Sequence, residues 1–98
     1  MRRRYLVTYD VADAKRLRRT YKAMHGFGDP VQYSVFLCDL SAVEKQLLLE
    51  RLHSLLNWGH DRVLIVDLGD VGGLFTGRIE VFGVQLPGLT DDYGATII

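Results

Sequence analysis

Four consecutive apolar residues, Val63-Leu64-Ile65-Val66, constrain this chain more than any other feature. A strand points successive side chains to opposite faces, so this run is apolar on both. The rest of the chain offers only two helical patterns, and two helices cover one face of a sheet. An antiparallel sheet left half open to water alternates apolar and polar residues more cleanly than this. A second surface must therefore cover the other face, and twofold pairing of two copies is the commonest way to supply it. At 98 residues the chain buries only about 60–65% of its unfolded surface, so a second copy also helps its stability.

The remaining elements follow from pattern. Residues 5–10, rich in Tyr, Val and Thr, read as a strand. Asp13 is a good N-cap for a helix whose apolar positions Ala14, Leu17, Tyr21 and Met24 recur every three or four residues. Gly26 and Gly28 stop that helix. Residues 31–40 are β-rich and fit either one kinked strand or two short strands meeting near Ser34. Ser41 and Glu44 form a capping box for a second helix, with a stripe of Val43, Leu47, Leu48, Leu52, Leu55 and Leu56. Residues 62–68 are the next strand, 69–77 a glycine-rich connection, and 78–84 a late edge strand. The order β-α-β(β)-α-β defines an α+β chain, a ferredoxin-like βαββαβ sandwich with an additional C-terminal strand, its sheets packed in a homodimer. The domain spans residues 1–84, and residues 85–98 form a C-terminal tail.

Zero formal net charge argues against a nucleic-acid partner only until the charges are placed. Residues 1–22 carry eight Lys/Arg against two Asp, a net of +6; residues 23–98 carry four against ten Asp/Glu, a net of −6. Such asymmetry points to a polyanion. Lys15, Arg18, Arg19 and Lys22 fall on one helix face, joined by Arg16 and by Arg2, Arg3 and Arg4. No zinc-finger spacing or base-reading helix accompanies them, and no aromatic residues interleave with them as a single-strand groove requires. The expected contact is with phosphate, independent of base sequence. The single cysteine, Cys38, forms no intramolecular disulfide and fits a reducing cytoplasm. No apolar run has the ~18 residues of a membrane helix, and the stretch after Arg4 is too short for a signal peptide.

Asp10 ends the first strand. It can cap a turn, pair with an arginine, or bind a hard cation. If a twofold axis passes near it, two Asp10 carboxylates face each other, and a divalent ion relieves their repulsion. Mg²⁺ suits such a site because it retains waters and needs few protein ligands. His25, His53 and His60 lack metal-ligand spacing, Cys38 reads as a buried small hydrophobe, and Trp58 as a core or boundary anchor.

Three blocks carry a resemblance: Tyr5-Leu6-Val7-Thr8-Tyr9-Asp10, Lys15-Arg16-Leu17-Arg18, and Val31-Gln32-Tyr33-Ser34-Val35-Phe36. In this order and spacing, across roughly residues 4–68, the chain resembles the CRISPR-associated protein 2 family of antiviral defence. The resemblance implies a ferredoxin-like homodimer with Asp10 of each copy at a central divalent metal, Mg²⁺ or Mn²⁺. It implies a metal-dependent endonuclease of RNA or double-stranded DNA, with Asp10 as catalytic residue, Tyr9, Arg16 and Phe36 flanking its cleft and Ser34 in the bend beside it. It also implies a scaffold for spacer acquisition. In that role the dimer holds double-stranded DNA and bridges dimers of the CRISPR integrase (CRISPR-associated protein 1), with or without an associated CRISPR nuclease, and residues 78–98 dock the integrase. Leu37 stands where family members often carry an acid, and the tail past Pro87 is long for the family. The residues favour the scaffold, because Asp10 is the single acid placed for catalysis and Asp13 is committed to capping. A third reading, a regulatory domain for a small ligand, leaves the basic face unused.

Overall fold

Tyr5, Val7 and Tyr9 point one way from their strand, Leu6, Thr8 and Asp10 the other, and this alternation organises the molecule. The strand is β1 (Arg3–Asp10), an inner strand of the computed structural model, which describes residues 1–72, 79–82 and 95–97. α1 (Ala14–Met24) follows, then β2 (Asp29–Gln32), β3 (Val35–Leu40), α2 (Ala42–Leu55) and β4 (Arg62–Asp70). The four strands form one antiparallel sheet in the order β2-β3-β1-β4, the ferredoxin-like arrangement expected from the element order. The β-rich residues 31–40 resolve into two strands rather than one. They meet at a turn over Tyr33 and Ser34, and the first begins two residues earlier, at Asp29.

Both helix starts form as their sequences predict. The Asp13 carboxylate accepts the Arg16 N–H at 2.9 Å. Ser41 and Glu44 exchange side-chain and backbone hydrogen bonds at 2.9 and 3.1 Å. The buried faces are narrower than the sequence stripes. In α2, Leu48 and Leu52 are buried and Leu56 closes the row just past the helix, while Val43 and Leu47 stand 70% and 51% exposed. A helix turns about 100° per residue, so Leu47 lies a quarter-turn or more from the Leu48–Leu52 line that meets the sheet. In α1 the buried pair is Thr20 and Met24, and Ala14 is exposed. Thr20 tolerates burial because its hydroxyl donates to the Arg16 carbonyl at 2.8 Å.

The core lies between the helices and one sheet face: Tyr5, Val7, Tyr9, Phe36, Cys38 and Leu40 from the strands, Met24, Leu48, Leu52 and Leu56 from the helical layer. Burial pushes the Cys38 thiol up to about 12 and leaves it inert. Gly28, just before β2, lies so close to β3 that a Cβ there would collide with the Leu37 carbonyl oxygen and Cys38 Sγ.

The late edge strand forms within the expected segment, over fewer residues. β5 (Ile79–Val81) does not extend the four-stranded sheet; it pairs in parallel with β6 (Ala95–Ile97) in a separate two-stranded sheet. Part of the segment read as tail is therefore a strand. The boundary placed between residues 84 and 85 lies outside the described residues.

Candidate nucleic-acid interface and carboxylate site

The face of the sheet turned away from the helices carries Leu6, Thr8 and Asp10 of β1, flanked by Leu37 and Val35 of β3 and by Val66, Leu64 and Arg62 of β4. Leu64 and Val66 are 50% and 45% exposed. These are the outward halves of the four-residue apolar run. Inward-facing Val63 and Ile65 pack on the core.

Asp10 ends this face, exposed, with Arg62 directly across the ladder. Together with Thr8, Tyr9 and Leu64 they line a shallow cavity of about 200 Å³. Arg62 was not anticipated from the sequence; it lies 52 positions away, and only strand pairing brings it to Asp10. Among the described residues no cluster of three or more His, Cys, Asp or Glu side chains forms. Leu37, fully buried, supplies no second acid beside Leu6. One copy thus offers a cation a single carboxylate opposite an arginine, which does not hold it.

Of the expected cleft residues, Tyr9 lines this cavity beside Asp10, while its ring turns to the helical face of the sheet. Tyr9 and Phe36 are buried beneath the helices, 4% and 0% exposed, with rings stacked at 6.3 Å. Desolvation raises the Tyr9 phenol well above its usual range. Its hydroxyl donates to the Tyr33 carbonyl, and its backbone N–H to the Ser34 carbonyl at 3.0 Å. Tyr9, Phe36 and Ser34 therefore shape the β2–β3 turn from inside.

Tertiary structure also sorts the basic residues. Arg2 pairs with Glu44 at 3.0 Å, and Arg3 with Asp67 and Asp70 at 3.0 and 2.6 Å. Arg4 pairs with Asp39 at 2.8 Å. A bulge between Arg3 and Tyr5 lets Arg3 span two β4 carboxylates. Arg16, read from the sequence as part of the phosphate-binding face, turns instead to Asp61, whose side chain is fully buried, at 2.8 Å. Asp61 also accepts the backbone N–H groups of Ala12 and Asn57, at 2.9 and 2.8 Å. The carboxylate thereby ties the β1–α1 loop to the α2–β4 connection. The Arg16 guanidinium, then these backbone donors, hold the Asp61 carboxyl far below its usual range. Lys15, Arg18, Arg19 and Lys22 remain: all exposed on α1, and none within ion-pair distance of a carboxylate among the described residues. Four cations on one helix are what is left of the +6 in the first 22 residues.

A ferredoxin-like sandwich with one unneutralised cationic helix and an open, partly apolar sheet face defines a small α+β protein suited to a polyanion. Comparison supplies the family. The family model described as CRISPR associated protein Cas2 matches residues 1–72, and the chain belongs to that family. A protein named CRISPR-associated endoribonuclease Cas2 from Geobacter sulfurreducens is 42% identical over 65 residues, 66% of this chain and 68% of its own. One from Rhodospirillum rubrum is 45% identical over 65 residues, 66% of this chain and 64% of its own. Against these two relatives the chain spans about two thirds of their length. A third, from Thermodesulfovibrio yellowstonii, is 38% identical over 90 residues, 84% of this chain and 99% of its own. Among solved structures, a hypothetical protein from Thermus thermophilus superposes with a TM-score of 0.73 at 31% identity, covering 88% of this chain and 96% of that one. Streptococcus pyogenes Cas2 gives 0.61 at 32%, covering 64% and 82%. Among the described residues no helix is long and apolar enough to cross a membrane.

Proposed function

We propose that this chain acts in the cytoplasm as a homodimeric scaffold of CRISPR adaptation, holding double-stranded DNA by its phosphates and bridging dimers of the CRISPR integrase. The observation that carries this reading is the α1 stripe Lys15, Arg18, Arg19 and Lys22, exposed and without carboxylate partners among the described residues. An ordinary solvated helix mixes signs; this one carries no acidic residue and presents a row of cations to a polyanion. Arg16 serves the scaffold from behind, by fixing the start of α1. The open face with Leu64 and Val66 is where the second copy packs, and residues 78–98 dock the integrase.

A second reading has its own support in the endoribonuclease names of the relatives and in Asp10 at the end of the open face. In that reading two Asp10 carboxylates across the dimer hold Mg²⁺ or Mn²⁺. Such an ion supplies positive charge for a phosphodiester and acidifies bound water. Asp10 positions the ion, and Arg62 opposite it is placed to meet a phosphate oxygen.

Spacer integration in vitro separates the two readings. The assay contains a short DNA duplex, a plasmid bearing a CRISPR leader and repeat, and the cognate integrase, with this protein omitted, wild type, or Asp10→Asn. The scaffold reading expects integration to require the protein and to survive Asp10→Asn. Loss of integration with a folded, dimeric Asp10→Asn would make the carboxylate site part of the mechanism.

A further inference from the structure

The folded chain gathers aromatic rings beside the cationic helix, Tyr21 from α1 itself and Tyr33 from another element. Tyr21, half-buried on α1, meets Tyr33 at 5.2 Å between ring centroids, and it meets His25 and Phe36 edge-on at 4.7 and 5.5 Å. Tyr33 comes from the β2–β3 turn and is 65% exposed. Leu17, Arg18, Tyr21 and Tyr33 enclose a cavity of about 350 Å³ with an almost wholly apolar wall. This lies in the range of small-ligand sites.

The exposed ring is held on a fixed base. The turn beneath Tyr33 is tied down by the buried Tyr9, through its hydroxyl to the Tyr33 carbonyl and its backbone N–H to the Ser34 carbonyl. Tyr21 is wedged among three neighbouring rings. A large, exposed aromatic surface costs hydration in the free protein, and rigid rings lose little entropy on binding.

From this juxtaposition we propose that the Leu17–Arg18–Tyr21–Tyr33 cavity takes an unpaired base of a DNA strand, stacked on Tyr33, while Arg18 at its rim binds the adjoining phosphate. Charge selects this occupant. Among the described residues no carboxylate lines the cavity and its one charged group is a cation, Arg18, which belongs to the same exposed row as Lys15 and Lys22. A stacking ring beside a cationic track is the recurring chemistry of single-strand binding. The inference rests on the phosphate-binding reading of α1 and extends it from the paired backbone to an unpaired end.

The test measures affinity of the full chain, by fluorescence anisotropy, for three DNA duplexes. One is blunt, one carries a short thymine overhang, and one carries an equal number of abasic sugar-phosphate units. The last two have the same charge and differ only in bases. The thymine overhang is expected to bind about ten-fold more tightly than the abasic one. Tyr33→Ala removes that difference and leaves blunt-duplex affinity unchanged; Tyr33→Phe keeps the difference. Arg18→Ala weakens all three probes. Equal affinity of wild type for thymine and abasic overhangs, with salt-dependent blunt binding intact, overturns the stacking site alone. No binding to any duplex overturns the phosphate reading and the stacking site with it. Tighter binding of a ribonucleotide overhang than of the DNA overhang overturns the assignment to DNA.

Discussion

Asp61 concentrates more of the local architecture than any other single residue. Its buried carboxylate receives two guanidinium hydrogen bonds from Arg16 and the backbone N–H groups of Ala12 and Asn57. These donors favour the ionised form, so its folded pKa lies below the usual 3.8. The sign follows from linkage: the stabilisation is complete above the unfolded value and is lost as pH falls through the depressed folded one. Thermal melts should therefore show Tm steady from pH 7 to about 5 and falling below about pH 4. Asp13, Glu44 and Asp67 are lowered as well and add to the same acid limb. Asp61→Asn should lower Tm at pH 7 by roughly 10 °C or more, because Arg16 and two backbone donors lose their anion. It should also flatten the fall at low pH; an unchanged acid limb would remove Asp61 from the account. Gly28 is the second residue with an outsized effect. A Cβ there meets β3 backbone, which cannot step aside as a flexible side chain would. Gly28→Ala should cost about 1–3 kcal/mol in urea unfolding, and a neutral result would show that β2 can shift away from β3.

At the scale of an element, α1 is two-sided by design of its sequence. Thr20 and Met24 enter the core, Leu17 and Tyr21 lie at its edge, and Lys15, Arg18, Arg19 and Lys22 face water. If those four touch phosphate in each copy of a dimer, log affinity for duplex DNA should fall against log salt with a slope of about −7. Reversing Arg18, Arg19 and Lys22 to Glu should bring the slope to about −2 or shallower, measured by anisotropy at several salt concentrations. Arg3→Gln should leave it unchanged, because Arg3 is already engaged by Asp67 and Asp70. Equal loss from both variants would mean that the amino-terminal arginines leave their carboxylates to bind DNA. The stripe was legible in the sequence because helical spacing is local. The dismissal of Arg2, Arg3, Arg4 and Arg16 was not, since their partners stand 35 to 67 positions away.

For the whole molecule, the proposed homodimer places its interface on the open sheet face. β4 carries Leu64 and Val66 outward beside Leu6, and a solvent-facing apolar sheet surface of this kind invites a second copy. Replacing Leu64 and Val66 with Lys should convert dimer to monomer in sedimentation velocity and leave far-UV circular dichroism unchanged, because neither side chain enters the helical core. A dimer that persists would move the interface elsewhere, to β5 and β6 or the exposed side of α2.

The amino-acid sequence by itself determined the alternation of β-rich and helical segments up to β4, both helix caps, the α+β class and the strand that is apolar on both faces. These follow from periodicity, capping chemistry and alternation, which act over a few residues. It also placed Asp10 at a strand end and the cations on one helix. Tertiary structure alone decided that residues 31–40 are two strands, that Tyr9 and Phe36 belong to the core, and that Arg16 serves Asp61. It alone set Arg62 opposite Asp10 and Tyr33 beside Tyr21 and Arg18. Each of these pairings joins residues from different elements, and ion pairs and ring contacts depend on distances in space that no local pattern encodes.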